Sequence, residues 1–196
     1  MIQKMKNLFK ILIMLFISLN ASCQILPLKT PNFDCPNGAY KKDLDNIFPY
    51  LSGTWKGVVN NKEYTFQFVS FPHQLVEFSN GDYFYEDQLK CKFKVVDLSN
   101  NQILYNDLMI TNFDDYKIIF TGYGINLGYT FCFYDNQINC NNKVSFRILK
   151  NHNNLTQVTY RAFEYEEYRR TIDCPYANQS DIPIFLPTSD LILTKQ

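Results

Sequence analysis

Glycine, histidine and tryptophan are scarce in this chain. Its 196 residues include seven glycines, two histidines and one tryptophan. No glycine-rich phosphate loop, Gly-x-Ser-x-Gly turn or His-Glu-x-x-His helix occurs, which excludes the sequence signatures of several large enzyme classes. His73 stands beside Pro72 in a predicted turn and His152 in an asparagine-rich loop, and both are interpreted as solvent-exposed side chains, not as general bases. We predict no enzyme activity, no catalytic residue, no cofactor and no metal site.

An excess of positive charge is also missing. The 19 basic residues balance the 19 acidic ones, and removal of the N-terminal lysines Lys4, Lys6 and Lys10 leaves a net charge of about −3. A protein that binds nucleic acid needs a strongly basic face to neutralise phosphates. Nucleic acid is therefore excluded as an expected partner.

The single long apolar run is too short to cross a bilayer. Ile11 to Leu19 follow a lysine-rich start and end at the small residues Ala21 and Ser22. These are the features of a secretory signal peptide, whereas a membrane-spanning helix needs about 20 apolar residues. Residues 1–23 are therefore predicted to be a signal, and the protein is predicted to be exported to the periplasm, the cell surface or the medium.

The beginning of the mature chain depends on Cys23, and two alternatives stay open. Ala21-Ser22-Cys23 fits an ordinary cleavage site, because the peptidase requires small side chains there. Leu19 to Cys23 also resembles a relaxed bacterial lipoprotein box, although Asn20 stands where a large apolar residue is usual. In the second case Cys23 carries a lipid, and the protein is an outer-membrane lipoprotein that is anchored to the membrane without crossing it.

Alternation of apolar and polar side chains predicts β-strands along most of the remaining chain. The pattern is clear from Tyr64 to Phe68, from Leu89 to Val95 and from Val144 to Ile148. Each of these strands should have one buried face and one wet face. The 17 phenylalanines and 14 tyrosines suit half-buried strands of this kind. The wet face of the second strand is predicted to carry Lys90, Lys92 and Lys94.

Turn residues divide the chain into about nine or ten strands at the spacing of a meander. Asn80-Gly81 should close a hairpin, since both residues tolerate positive φ angles, and Asn60-Asn61-Lys62 should link the first two strands tightly. The pattern predicts a single all-β domain over residues 51–196, an antiparallel, closed or partly closed barrel, with a β-sandwich as the alternative. Residues 24–50 are predicted to be an ordered flap, and Glu164 to Arg170 a short helix.

Gly53 and Trp55, at the start of the first long strand, resemble the Gly-x-Trp motif that opens lipocalin-type barrels. The resemblance implies that Trp55 plugs one end of the barrel. It also implies that an arginine from a late strand packs over the indole ring, as a cation on an aromatic face. The candidates for this structural role are Arg161 and Arg147, and the sequence does not choose between them.

Several segments together are similar to an uncharacterised family of short secreted proteins from Bacteroidota, which has only a domain-of-unknown-function label. These segments are Ile25–Thr30, Gly38–Asp43, Gly53–Gly57 and Leu191–Gln196. The resemblance implies export from a bacterial cell. It implies no activity and no ligand.

The chain has six cysteines, which fits an oxidising compartment. The repeated tripeptide Asp-Cys-Pro predicts a bridge between Cys35 and Cys174. Cys132 and Cys140 flank a predicted turn symmetrically, which predicts a second bridge across a hairpin. Cys91 falls on the apolar face of its strand and is predicted to be a small buried hydrophobe. Zinc is the competing use of these cysteines, but no Cys-x-x-Cys or histidine spacing supports it.

Two functional classes follow from these predictions. The first is a non-enzymatic binding module that holds a small apolar or aromatic ligand inside the barrel, in a cavity of roughly 300–1,000 Å³. Its expected lining is Phe66, Phe68, Phe93 and Phe146. The alternative is a structural or protein-interaction component of the bacterial cell envelope, with a filled barrel and an exposed aromatic patch. The sequence predicts no oligomeric state, and it predicts membrane contact only through a lipid on Cys23.

Overall fold

An eight-stranded antiparallel β-barrel, with three further strands on its outside, makes up most of the molecule. The structure is a computed structural model, and it describes residues 24–124, 128–135, 140–166 and 171–196. The predicted signal peptide and the question of a lipid on Cys23 lie outside the described residues.

The strands are numbered β1 to β11 in chain order. They are β1 Ile25–Pro27, β2 Tyr40–Lys42, β3 Gly53–Val59, β4 Lys62–Glu77, β5 Tyr83–Asp97, β6 Gln102–Asn106, β7 Ile118–Gly124, β8 Gly128–Asp135, β9 Asn142–Lys150, β10 Gln157–Tyr165 and β11 Leu191–Lys195. A short α-helix, α1, spans Ile47–Leu51. Single-turn 3-10 helices lie at Asn32–Asp34, Phe113–Asp115 and Gln179–Asp181.

Each barrel strand pairs antiparallel with the next, in the order β3-β4-β5-β7-β8-β9-β10-β11, and β11 returns to β3. The predicted barrel is therefore confirmed, and the sandwich alternative is wrong. β6 pairs with β5, while β1 and β2 extend the far end of β5 in parallel. The expected nine or ten strands fall short of the eleven found among the described residues, because β1 and β2 have three residues each, too few for alternation to show.

Two predicted turns are present with different geometries. Asn60 and Asn61 have φ angles of 50° and 59°, and they form a two-residue link between the paired residues Val59 and Lys62. Positive φ at both positions is what a type I′ hairpin turn requires. The predicted hairpin at Asn80-Gly81 is also confirmed, with a φ of 89° at Gly81, but its connection is longer because the last pair is Glu77 with Tyr83.

Trp55 lies fully buried beneath α1, at one end of the barrel. Its Nε1 donates a hydrogen bond of 2.7 Å to the carbonyl oxygen of Leu51. The Nζ of Lys195 lies 5.2 Å from the indole centroid and donates to the carbonyl oxygen of Tyr50 at 2.7 Å. A cation does pack over the ring, as the Gly-x-Trp resemblance implied, but it is a lysine of the last strand.

The prediction that Arg161 fills this role is wrong. Val158 and Tyr160 occupy the inward positions of β10, so Arg161 points outward, with half of its side chain exposed and its Nε 3.8 Å from Asp190. Lys195 instead pairs directly with Trp55 in the β11–β3 register. Gly53 supports this arrangement through a φ of 115°, and the Lys195 side chain passes 3.4 Å from the place of its missing Cβ.

Both predicted disulfide pairings are wrong, because the structure joins Cys140 to Cys174. Cys132 pairs with Ser145 in the β8–β9 register, so it lies well away from Cys140, which precedes β9. Gln179 holds the C-terminal segment to the start of β9 through its bonds to the Asn142 side chain and the Lys143 carbonyl. This contact carries Cys174 to Cys140, while Cys35 remains a free thiol.

We expect removal of this disulfide to lower the free energy of unfolding by about 2–4 kcal/mol, because the bridge closes a loop and restricts the unfolded chain. The two cysteines are separated by 34 residues. The test is chemical denaturation of the Cys140→Ser/Cys174→Ser double variant. Cys35→Ser is the matched control and should change stability by less than about 0.5 kcal/mol; a large loss in the control would point to a bridge through Cys35.

Some of the remaining local predictions are confirmed and others are wrong. Cys91 is fully buried and free, as predicted. The predicted helix is wrong at Glu164 and Tyr165, which belong to β10, and residues 167–170 lie outside the described residues. The segment predicted as a flap contributes β1, β2 and α1.

Candidate binding cleft at the barrel seam

The barrel wall splits where β5 meets β7. These two strands share only the pairs Lys90 with Ile119 and Cys91 with Ile118. Farther along, β5 pairs with β2 at Tyr85 and Glu86, while β7 continues to Gly124 beside β8. The divergence opens a cleft of about 570 Å³, which we call the seam cleft.

The walls of the seam cleft come from separate parts of the chain. One wall is β7 from Ile119 to Tyr123, and the other is β5 from Glu86 to Gln88 with Lys41 of β2. The turn at residues 28–32, directly after β1, completes the lining. Leu28 also packs against the barrel core, so the turn is held to the barrel by apolar contact.

Charged groups along the β5 wall are held in place by short-range contacts. The Nζ of Lys41 lies 3.5 Å from the Glu86 carboxylate and donates to the Asn32 side chain at 2.8 Å. Within the described part of the chain, Lys29 has no ion pair, and its side chain is exposed. Lys29 is therefore the cleft cation that is available to a bound group.

Asp87 organises the same wall. Its carboxylate accepts hydrogen bonds from the Tyr40 hydroxyl at 2.5 Å, the Asp43 backbone N–H at 3.0 Å and the His73 backbone N–H at 3.1 Å. Burial raises the pKa of Tyr40 to about 12, and the hydrogen bond to Asp87 and its charge act in the same direction. Tyr40 therefore stays protonated as a donor at neutral pH.

His73 has a packing role beside this carboxylate. It is exposed, as predicted, but lies in β4 at a bulge, with a φ of 55°, not in a turn. Its ring stacks on Tyr85 at 4.3 Å and meets the edge of Tyr40 at 4.6 Å. These contacts connect the long β4–β5 hairpin to β2.

The β7 wall is connected to the helix that closes the barrel. The hydroxyl of Tyr123 donates to the carboxylate of Asp45, and Phe120 packs edge-on against Phe48 of α1 at 5.2 Å. Burial raises the pKa of Tyr123 to about 12, and Asp45 adds to the shift. The Asp43 carboxylate caps α1 by accepting from the backbone N–H groups of the first helical residues, Ile47 and Phe48. Both walls are thus built from ordered, hydrogen-bonded segments.

The four residues predicted to line an internal ligand cavity lie together in the barrel core. Phe66, Phe68, Phe93 and Phe146 are at most 2% exposed. Phe66 lies 5.7 Å from Phe93 and 6.4 Å from both Phe68 and Phe146, measured between ring centroids. A ligand among these rings would have to displace contacts that they already make with one another. None of the four lines the seam cleft.

A second, more open cavity of about 620 Å³ lies against the loop of residues 107–117. Lys92 donates to the Ile110 carbonyl at 2.6 Å, and Lys90 donates to the Phe113 carbonyl at 2.9 Å with its Nζ 3.2 Å from the Phe113 ring centroid. Burial lowers the pKa of Lys90. The wet-face prediction is wrong for these two lysines, because the loop covers them and they anchor it.

Asp107 is buried at the start of this loop. Its carboxylate accepts from the Phe93 backbone N–H at 2.5 Å and from the Tyr105 hydroxyl at 3.1 Å. Burial raises the pKa of Asp107 above its ordinary value of 3.8, although both hydrogen bonds oppose the shift. The charged form is therefore less favourable in the folded protein than in the unfolded chain.

A carboxyl with a raised pKa in the folded state stabilises the fold when protonated, and this contribution is lost as pH rises through the folded pKa. We therefore expect the stability of the wild type, relative to Asp107→Asn, to be greatest at acidic pH and to decrease as pH rises from 3.8 through the raised value. Urea denaturation of both proteins between about pH 3 and pH 7 measures this difference. If the stability of the wild type relative to Asp107→Asn instead increased with pH, this would contradict the raised pKa of Asp107.

None of the seam-cleft residues was predicted as a site residue. A weak signal was available, since Lys41, Asp43 and Asp45 are charged residues in a segment without strand alternation. In the described ranges, no three His, Cys, Asp or Glu side chains are placed to hold a metal ion. Among the residues that the structure describes, no helix combines the length and the apolarity needed to cross a membrane.

Comparison with known proteins adds no identity to this geometry. No protein-family model matches the chain, and neither the curated proteins nor the solved structures include a significant match. The geometry of the site is therefore the basis for its function.

Proposed function

We propose that this chain is an exported, non-enzymatic binding module whose recognition site is the seam cleft, with the barrel interior serving as a structural core. The observation that most supports the proposal is the contrast between the barrel interior and the seam cleft. The interior is occupied by phenylalanine rings in mutual contact, whereas the seam cleft is concave, about 570 Å³ in volume and open to solvent.

The lining of the cleft supports a binding role. Binding sites usually combine an apolar surface with a few fixed polar groups, in volumes of roughly 300–1,000 Å³. Leu28 and Phe120 supply apolar surface, while Lys41 and Asp87 are fixed by the contacts described above. A ligand with an apolar face and hydrogen-bonding groups fits this chemistry.

Export is supported by the signal-like N-terminus and by the Cys140–Cys174 disulfide, since structural disulfides persist in oxidising compartments. In that setting the protein acts in the periplasm, at the cell surface or in the medium. In the envelope-interaction alternative, the bound partner is a macromolecule of the cell envelope.

Native mass spectrometry of the protein purified from its own host tests the proposal. We expect a mass excess that disappears on denaturation, and we expect Gln88→Trp to lose it because the larger side chain fills the cleft. Gln102→Trp, at an exposed position on β6, is the matched control and should keep the excess. A bare mass for the wild type, or an excess that Gln88→Trp retains, would contradict the seam cleft as the binding site.

A further inference from the structure

The sheet has two unpaired edges at the seam cleft. Within the described residues, β7 from Phe120 to Gly124 pairs only with β8, because its pairing with β5 ends at Ile119. In the same part of the chain, β1 pairs only with β2, so it ends the sheet on the other side. Leu28, the residue directly after β1, lines the cleft opposite β7.

The free edge of β7 is long enough to pair with a short strand. Continued β5–β7 pairing would have closed the wall, but β2 occupies the side of β5 at Tyr85 and Glu86 instead. The free part of β7, Phe120 to Gly124, spans roughly 16 Å at about 3.3 Å per residue. An exposed edge of this kind offers unpaired backbone N–H and C=O groups, which an extended chain can pair with.

The side chains that line the seam cleft indicate which kind of segment it can bind. The cleft floor near Leu28 and Phe120 is apolar, and both side chains contact the barrel core. At the rim, Lys29 is exposed and has no ion pair in the described part of the chain, whereas Lys41 is already paired with Glu86. The available cation at the rim complements a carboxylate.

We infer that the seam cleft binds an extended segment of a partner protein, which adds as a strand along the free edge of β7 and places an acidic side chain near Lys29. The inference rests on the proposed function, in which the seam cleft is the binding site, and it names the class of ligand. An apolar side chain of the segment faces Leu28 and Phe120, because side chains alternate between the two faces of a strand.

The probe is a displayed library of random seven-residue peptides, selected on the purified exported chain with its disulfide intact. We expect selected peptides to contain an acidic residue and to protect the backbone amides between Ile118 and Gly124 from hydrogen exchange. A single N-methyl group at every other residue of the best peptide, tested one position at a time, should weaken binding by about tenfold, because each such group removes one strand hydrogen bond. Methylation at the intervening residues should have a much smaller effect.

Variants of the protein sharpen the test. Gln88→Trp should abolish binding of the peptide, and Lys29→Glu should weaken it by about two- to fivefold. A peptide in which lysine replaces the acidic residue should recover affinity for Lys29→Glu. Arg161→Glu, on the opposite side of the barrel and about half exposed, is the matched control and should bind as the wild type does.

The outcomes separate the inference from the proposed function. No selected peptide, or peptides that protect a region other than β7, would overturn the inference. A small molecule in the native mass spectrum that Gln88→Trp releases, together with no peptide binding, would overturn the inference and leave the proposed function in place. A wild-type dimer that Gln88→Trp dissociates would also overturn it, because the occupant would then be a second copy. If Gln88→Trp changes neither the bound mass nor peptide binding, the inference and the proposed function both fail.

Discussion

Replacement of Trp55 by alanine is expected to lower the free energy of unfolding by about 3–5 kcal/mol, as for other large aromatic side chains removed from a core. Trp55 is completely buried, and its ring contacts the last strand through Lys195 and α1 through the Tyr50 ring, 6.1 Å away. The substitution removes this apolar contact and leaves the Leu51 carbonyl without its indole donor. Urea denaturation followed by circular dichroism measures the change.

Two further variants give this prediction its control. Val58→Ala lies on the same strand but is 56% exposed, so its effect should be within about 0.5 kcal/mol. Trp55→Phe keeps most of the buried ring and loses the hydrogen bond to Leu51, so it should fall between the wild type and Trp55→Ala. A loss below about 1 kcal/mol for Trp55→Ala would mean that the indole does not hold the barrel end together.

Replacement of Phe66 by alanine is expected to cost a similar 3–5 kcal/mol. Phe66 is fully buried, and its ring lies within 5.7 to 6.5 Å of five other rings. Aromatic neighbours at such distances contribute about 0.5–1.5 kcal/mol each beyond the area that they bury. The alanine variant leaves a cavity at the centre of this cluster, which the surrounding strands cannot collapse to fill.

This measurement also discriminates between a core role and a ligand role for the interior phenylalanines. Phe33→Ala is the control, because that side chain is 88% exposed and should contribute within about 0.5 kcal/mol. If Phe66→Ala changed the stability of the ligand-free protein little but strongly weakened the binding of a ligand, this result would favour an interior binding site and contradict the structural core. A loss of several kcal/mol in the ligand-free protein supports the filled barrel.

The seam cleft shows why site prediction from this sequence was limited. Phe120 and Glu86 are separated by 34 positions in the chain, and the turn after β1 lies still farther away in sequence. Their proximity depends on where the β5–β7 pairing ends and on the short parallel strands β1 and β2, which carry no alternation pattern. Neither feature can be obtained from local spacing.

The cysteines and the tryptophan illustrate the same limit in different ways. The repeated Asp-Cys-Pro tripeptide at Cys35 and Cys174 describes local sequence, but a bridge depends on which segments meet. Gln179 fixes the C-terminal segment beside β9, and so the partner of Cys174 is Cys140. The position of Trp55 at the barrel end was predictable from the Gly-x-Trp motif. The identity of the cation over its ring depended on the β11–β3 register.

The sequence by itself determined the strand-rich class, the tight turn at Asn60-Asn61 and the burial of Trp55 and Cys91, and it favoured a barrel without excluding a sandwich. These follow from alternation, turn chemistry and side-chain apolarity, which act over a few residues. Only the tertiary structure decided the disulfide, the Lys195–Trp55 contact, the burial of Lys90 and Lys92, and the seam cleft. Each of these depends on strand register or on the docking of distant segments, because contact between residues far apart in the chain is set by the packing of the whole sheet.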